Sequence, residues 1–215
     1  GAPFVSLPED ATTLIVRQTF GDRRREEPAR LALACLDREG PPPPLSPARV
    51  AKALERAAAQ VQGSVAMFQQ LAARWAEAPN RLHPSDRRMA EQSFGDPDLY
   101  YCGGYWRVAP GEALVLDFTP PACRWWGFVL CNVWAESLEY RWRPVTVNGV
   151  NARRRADGSV RIVVAHEDPG LPDVNWLDPE GHVEGTMCLR WLLAEETFVP
   201  TPRLVTAEAL REGTA

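Results

Sequence analysis

The sequence predicts a mainly β protein with a helical segment: an antiparallel β-sandwich of jelly-roll type, joined to a long amphipathic helix or helix pair. Three observations carry that reading. From Leu99 onward, short apolar runs alternate with glycine- and proline-bearing turns, the pattern of many short strands. Between Val50 and Trp75 the apolar positions recur instead at steps of three and four, the period of one helix face. Asn148-Gly149 and Asp157-Gly158 are dipeptides that accept the positive φ of two-residue hairpin loops.

At 215 residues the chain is long enough for one ample core. The expectation is a single domain over 1–215, with N-terminal strands in 1–40, a helical segment over 46–78 and the main sandwich over 99–207. Residues 13–20 (TLIVRQTF) and 30–36 (RLALACL) read as strands joined by the charged GDRRREEP. The tract Pro41 to Pro44 is an extended spacer, after which Ser46 is placed to cap a helix whose first turn accepts Pro47. The stripe Val50, Leu54, Ala57, Val61, Val65, Phe68, Ala72 and Trp75 follows. Continued to Ala78 it would approach about 50 Å at 1.5 Å per residue, so a break at Gly63 or at Pro79-Asn80 is expected. Downstream strands are placed at 99–108, 112–118, 125–134, 145–147, 150–155, 159–166 and 184–193, with a short one near Leu204. The two glycine dipeptides make 145–166 a three-strand meander.

A net charge of -4 argues against a phosphate-neutralising surface and hence against nucleic acid. Arg23 to Arg25 run into Glu26 and Glu27, and Arg153 to Arg155 sit beside a turn, so both runs read as solvated faces. The richest apolar region, 113–135, is interrupted by Asp117, Pro120, Pro121 and Arg124 and cannot supply the roughly 20 apolar residues of a membrane span. Five cysteines without a CxxC pair point to reduced thiols and a cytoplasmic protein. Export stays open, because Gly1-Ala2-Pro3 can be a trimmed start. Nucleophile elbow, phosphate loop, dinucleotide fingerprint and zinc helix motifs are absent, and nothing in the sequence requires a cofactor.

The stretch CRWWGFVLCNVW is apolar in both strand registers, so both of its faces need cover. One face meets the opposing sheet, and the helix stripe is placed to roof the other. Asn132 is the exception, since an amide among Leu130 and Trp134 must tie down backbone or orient a ligand. The expected pocket, between the sheets or under the helix, is lined by Trp126, Phe128, Trp134 and Trp176, with Asn132, His166 and Arg190 as polar contacts. Asp178 joins Trp176 in the loop NWLD, good binding material. His166 continues the inward face of its strand and is the candidate catalytic base. His166 with Asp168, and His182 with Glu184, are spaced to present metal ligands in pairs, but the compact HxH of metal-binding cupins is missing, so no metal is assigned.

The ordered motifs GGYWRVAPGEALVLDFTPPACRWWGFVLCNVWAESLEYR, DGSVRIVVAHEDPG, NWLD, EGH and EGTMCLRWLLA resemble the bacterial domain-of-unknown-function family numbered twelve-fourteen. That resemblance covers nearly the whole chain. It implies a jelly-roll β-sandwich with helical additions, commonly found behind a companion domain of unknown function, and no settled activity. Matching positions include Gly104, Tyr105, Trp126, Trp176, Asp178 and Arg190. Small-molecule binding in an aromatic-lined pocket is the expected function. The alternatives are an enzyme, either metal-dependent or a histidine-based hydrolase, lyase or isomerase, and an interaction module for a companion domain or a second copy.

Overall fold

The computed structural model describes residues 5–11, 13–34, 40–41, 44–84, 86, 88 and 95–214. Expected from sequence as one domain, the chain divides into two units, Gly1–Gly40 and Pro41–Ala215.

Among its described residues the first unit contains no strand, in place of the two expected at 13–20 and 30–36; Cys35 and Leu36 lie outside the described residues. Polar side chains organise it instead. Glu26 accepts from the backbone N–H groups of Gly21 and Asp22, and Gln18 Oε1 accepts from Ala29 N at 2.7 Å. Leu14, Ile15, Val16, Leu31 and Leu33 stay exposed, so the alternating apolar pattern finds no partner strand to reward it.

The second unit opens with α1 (Pro47–Ala76), one continuous helix of 30 residues. Ser46 Oγ accepts from Arg49 N at 3.3 Å and proline fills the first turn, as expected. Gly63 does not divide it: one interior glycine costs about 1 kcal/mol relative to alanine, and the alanine-rich flanks offset that. Asn80, at φ 61°, ends the segment and pins it to the sheet. Its amide closes a two-way pair with the backbone of Arg107, both bonds 2.8 Å.

Among the described residues nine strands follow: β1 (Arg81–Pro84), β2 (Leu99–Arg107), β3 (Glu112–Phe118), β4 (Trp125–Leu130), β5 (Thr146–Asn148), β6 (Val160–Ala165), β7 (Asn175–Leu177), β8 (Glu184–Leu192) and β9 (Arg203–Thr206), then a short α2 (Ala207–Arg211). They form a five-stranded sheet, β1-β2-β8-β4-β5, and a four-stranded sheet, β7-β6-β3-β9. Among the described strands β6 and β7 pair in parallel and the other pairs are antiparallel. The two sheets share one core, in which Phe118 stands edge-on to Trp126 and Trp191 at 5.4 and 5.6 Å between centroids. A smaller apolar cluster on the outer face of the four-stranded sheet is closed by Leu210 of α2. Among the described residues no helix is long and apolar enough to cross a membrane.

The three-strand meander does not form. β5 pairs with β4 and β6 pairs with β3, so the chain crosses between sheets where two hairpins were expected, and 150–155 carries no strand. The reason is Asn148. Its Oδ1 accepts from Val150 N at 2.8 Å, and its own N–H is taken by Asn151 Oδ1 at 2.7 Å, a local side-chain turn that outcompetes the ladder. β4 likewise stops at Leu130 where 125–134 was expected, because Asn132 turns the chain.

Candidate functional site

The turn after β4 builds the most distinctive surface feature. Asn132 Oδ1 accepts from the backbone N–H groups of Trp134 (2.9 Å) and Glu136 (3.1 Å), while Nδ2 donates to Glu136 Oε2 at 2.8 Å. The backbone adds Asn132 N to Glu136 O at 2.9 Å, and Asn132 O accepts from Thr186 Oγ1 at 3.1 Å. Ala135 sits at φ 62° within this turn, a strained region for a residue with a Cβ. All this hydrogen bonding holds Val133 and Trp134 out of the core, at 38% and 53% exposure.

Opposite them lies the C-terminal part of α1. Trp75 rests against Gly103 of β2, where an added Cβ would collide with the indole, so the glycine sets how closely the helix approaches the sheet. That approach leaves a pocket of about 260 Å³ lined by Gln69, Ala72, Ala73, Ala76, Tyr105, Val133 and Trp134. Small alanines on the helix make the space, and the aromatic walls come from the strand and the turn. Burial, and secondarily the neighbouring Glu184 carboxylate, raise the Tyr105 phenol. The wall is therefore a neutral aromatic at ordinary pH.

Asn132 and Trp134 are the sequence candidates that meet here. Trp126 and Phe128 instead belong to the core between the sheets, both essentially without exposure. Arg190 lies on the outer face of the five-stranded sheet, its guanidinium 5.8 Å from the Trp125 ring centroid and its Nε buried with no partner among the described residues. Burial lifts the thiols near it despite its charge, Cys188 to about 11, so they stay protonated. Trp176 donates from Nε1 to Ala165 O at 2.8 Å and lines a separate, more polar cleft of about 250 Å³ with Arg153, Asp168 and Asn175. Asp178 is engaged by Arg143 at 2.6 Å.

His166 Nε2 lies 3.0 Å from Val108 O, and since a carbonyl only accepts, this nitrogen carries the proton. Asp178, Glu136 and Arg190 are engaged by Arg143, Asn132 and Trp125 respectively. Glu184 pairs with Arg107 at 2.9 Å. Among the described residues no three His, Cys, Asp or Glu side chains group as a metal site. From sequence, Ala72 was read as part of the helix stripe and Tyr105 as a family-matching position, neither as a pocket residue, and Ala73 and Ala76 were not singled out. Their signal was available in part, since Tyr105 follows Gly103 on the same face of β2 and that face has to meet a helix.

No family model matches the chain, and no curated protein matches it. Among solved structures, the crystal structure of an uncharacterized protein from Burkholderia cenocepacia is 41% identical, with a TM-score of 0.84 over 89% of this chain and 53% of that chain. The VPA0106 protein from Vibrio parahaemolyticus is 16% identical over 77% of this chain and 47% of that chain, at a TM-score of 0.42, too distant in shape to carry an argument. The chain spans about half the length of each of these proteins.

Proposed function

We propose that this protein binds a small apolar organic molecule in the pocket between the end of α1 and the Asn132 turn. The observation that carries the reading is a tryptophan kept exposed by the hydrogen-bonded Asn132 turn and facing alanines across an open space. A side chain needed only for packing would be drawn into the core. The volume falls just below the roughly 300–1,000 Å³ of drug-sized sites, which favours a compact ligand. A fluorescence screen with small aromatic and aliphatic probes tests it. Ala73→Phe, an exposed helix position that fills the pocket, should abolish binding while the fold survives, and Trp134→Ala should weaken it. Wild-type affinity in both variants would sink the assignment.

A second reading, pairing of two copies through α1, is favoured by the helix itself. Val50, Leu54, Val61, Val65 and Phe68 are all exposed on its stripe, and 57–73 contains no charged residue. A solvated helix carries charge on its outer turns, so this segment suits a neutral helical cover. Sedimentation across a concentration series should show a dimer that Val61→Glu converts to monomer. A wild-type chain monomeric at every concentration would end this reading.

Membership of family twelve-fourteen is supported by the ordered motifs from GGYWR to MCLRW. A jelly-roll relationship is supported by β8 lying between β2 and β4, and β3 between β6 and β9, late strands inserted beside early ones. The cytoplasmic placement rests on cysteine usage, the four cysteines among the described residues being free thiols.

A further inference from the structure

The outer face of the four-stranded sheet carries three arginines on one carboxylate. Arg161 sits directly across from Asp117 in the β3–β6 register and grips it with both edges of its fork, Nε to Oδ1 at 2.7 Å and Nη2 to Oδ2 at 2.8 Å. Arg155 Nη1 reaches Oδ1 at 3.2 Å, and Arg203 Nη2 reaches Oδ2 at 3.1 Å. Arg161 alone satisfies the geometry of a planar carboxylate. Arg155 and Arg203 each spend one N–H on it, from its two sides, and keep their remaining donors.

Three cations against Asp117 exceed its single charge by two, and Asp157, whose carboxyl feels the charge of Arg155, offsets one of these and leaves a net positive charge at the cluster. This surplus is not the by-product of a basic chain, since acidic residues outnumber Lys and Arg by 28 to 24. Nor is it diluted in solvent: the Arg155 and Arg203 side chains are 29% and 47% exposed, half withdrawn from the water that would otherwise offset them. Their backbones are fixed as well. Arg203 is held in β9 opposite Val115, and Arg155 is locked by the turn in which its N–H donates to Ser159 O at 2.9 Å. Donors that are prepositioned, forked and short of negative charge are what a multi-oxygen anion requires.

We propose that Arg155 and Arg203, held apart by Asp117 and backed by Arg161, form a binding site for a phosphate group. A tetrahedral oxyanion bridges the two arginines on the solvent side of Asp117 and presents oxygens to both. A simple carboxylate has only two oxygens and one plane, which suits the Arg161 grip already occupied by Asp117.

Phosphorus NMR and calorimetric titration of the full chain with inorganic phosphate, at constant ionic strength, test the site, with acetate as the carboxylate control. Saturable binding is expected, weakened about tenfold by Arg203→Gln and again by Arg155→Gln, the scale of losing one charge-assisted hydrogen bond. Circular dichroism of each variant, with Arg203 the more exposed and so the safer substitution, establishes that the fold is intact. Phosphate affinity unchanged in a folded Arg203→Gln protein, equal affinity for acetate, or no saturable phosphate binding in the wild-type chain would each overturn the proposal.

Discussion

Asn132 shows how much one amide decides. Its Oδ1 serves two backbone donors that have no other acceptor among the described residues, and its Nδ2 donates to a Glu136 carboxylate oxygen. Asn132→Ala should therefore cost about 0.5–1.5 kcal/mol, the net scale of hydrogen bonds lost at exposed backbone donors that water can still serve, and should shift Trp134 emission as the turn relaxes. Urea denaturation and fluorescence of the variant measure both. A variant as stable as wild type, with unchanged emission, would mean that the turn is set by the backbone alone. Of the sequence candidates Asn132 was the most legible, because an amide amid apolar neighbours has to have a structural or binding task. Trp126 and Phe128 were less so. A tryptophan in a two-sided apolar strand has the same sequence signature in a core as in a pocket, and only the packing of Phe118 and Trp191 around Trp126 distinguishes them.

At the scale of elements, α1 was readable because its period is unlike that of anything around it, and Ser46-Pro47 marked its start. Its continuity through Gly63 was not, since propensity scores a single glycine but not the cooperative cost of breaking a 30-residue helix. The strands expected at 112–118 and 184–193 were likewise legible, the second ending one residue earlier, at Leu192. The pairing of β5 and β6 into different sheets was hidden, because Asn148-Gly149 makes a plausible hairpin until Asn151 returns a side-chain bond to it. The contact that fixes α1 on its sheet is Trp75 on Gly103, which gives a prediction at this scale. Gly103→Val should push the indole away, lower stability by roughly 1–3 kcal/mol as an overpacked contact does, and widen the pocket. Gly63→Ala, where an added Cβ meets nothing within 4 Å, should instead stabilise by up to about 1 kcal/mol. Thermal unfolding of the two variants separates them, and equal shifts in one direction would contradict the contact.

Across the whole molecule, the ionic cluster on Asp117 spans β3, β6 and β9 and thereby ties three of the four strands of one sheet. Burial works against ionising this carboxyl, but the hydrogen bonds and charges of Arg161, then of Arg203 and Arg155, outweigh it and hold its pKa below the ordinary carboxylate range. A carboxyl with a depressed folded pKa contributes stability that is complete above its unfolded value, near 3.9, and is lost as pH falls through the folded value. Asp117→Asn removes that contribution at every pH and leaves three guanidiniums facing one another. The variant should be less stable than wild type by about 1–3 kcal/mol at pH 7, by an amount that stays constant down to about pH 5. Below that the difference should close, because the wild-type carboxyl protonates and comes to resemble the amide. Denaturant unfolding of both proteins from pH 7 to the acid limit of the fold tests the prediction. A stability gap that persists undiminished into acid would show that Asp117 acts through its shape and hydrogen bonds and not through its charge, and that the surplus of arginine charge on this sheet is balanced by other groups.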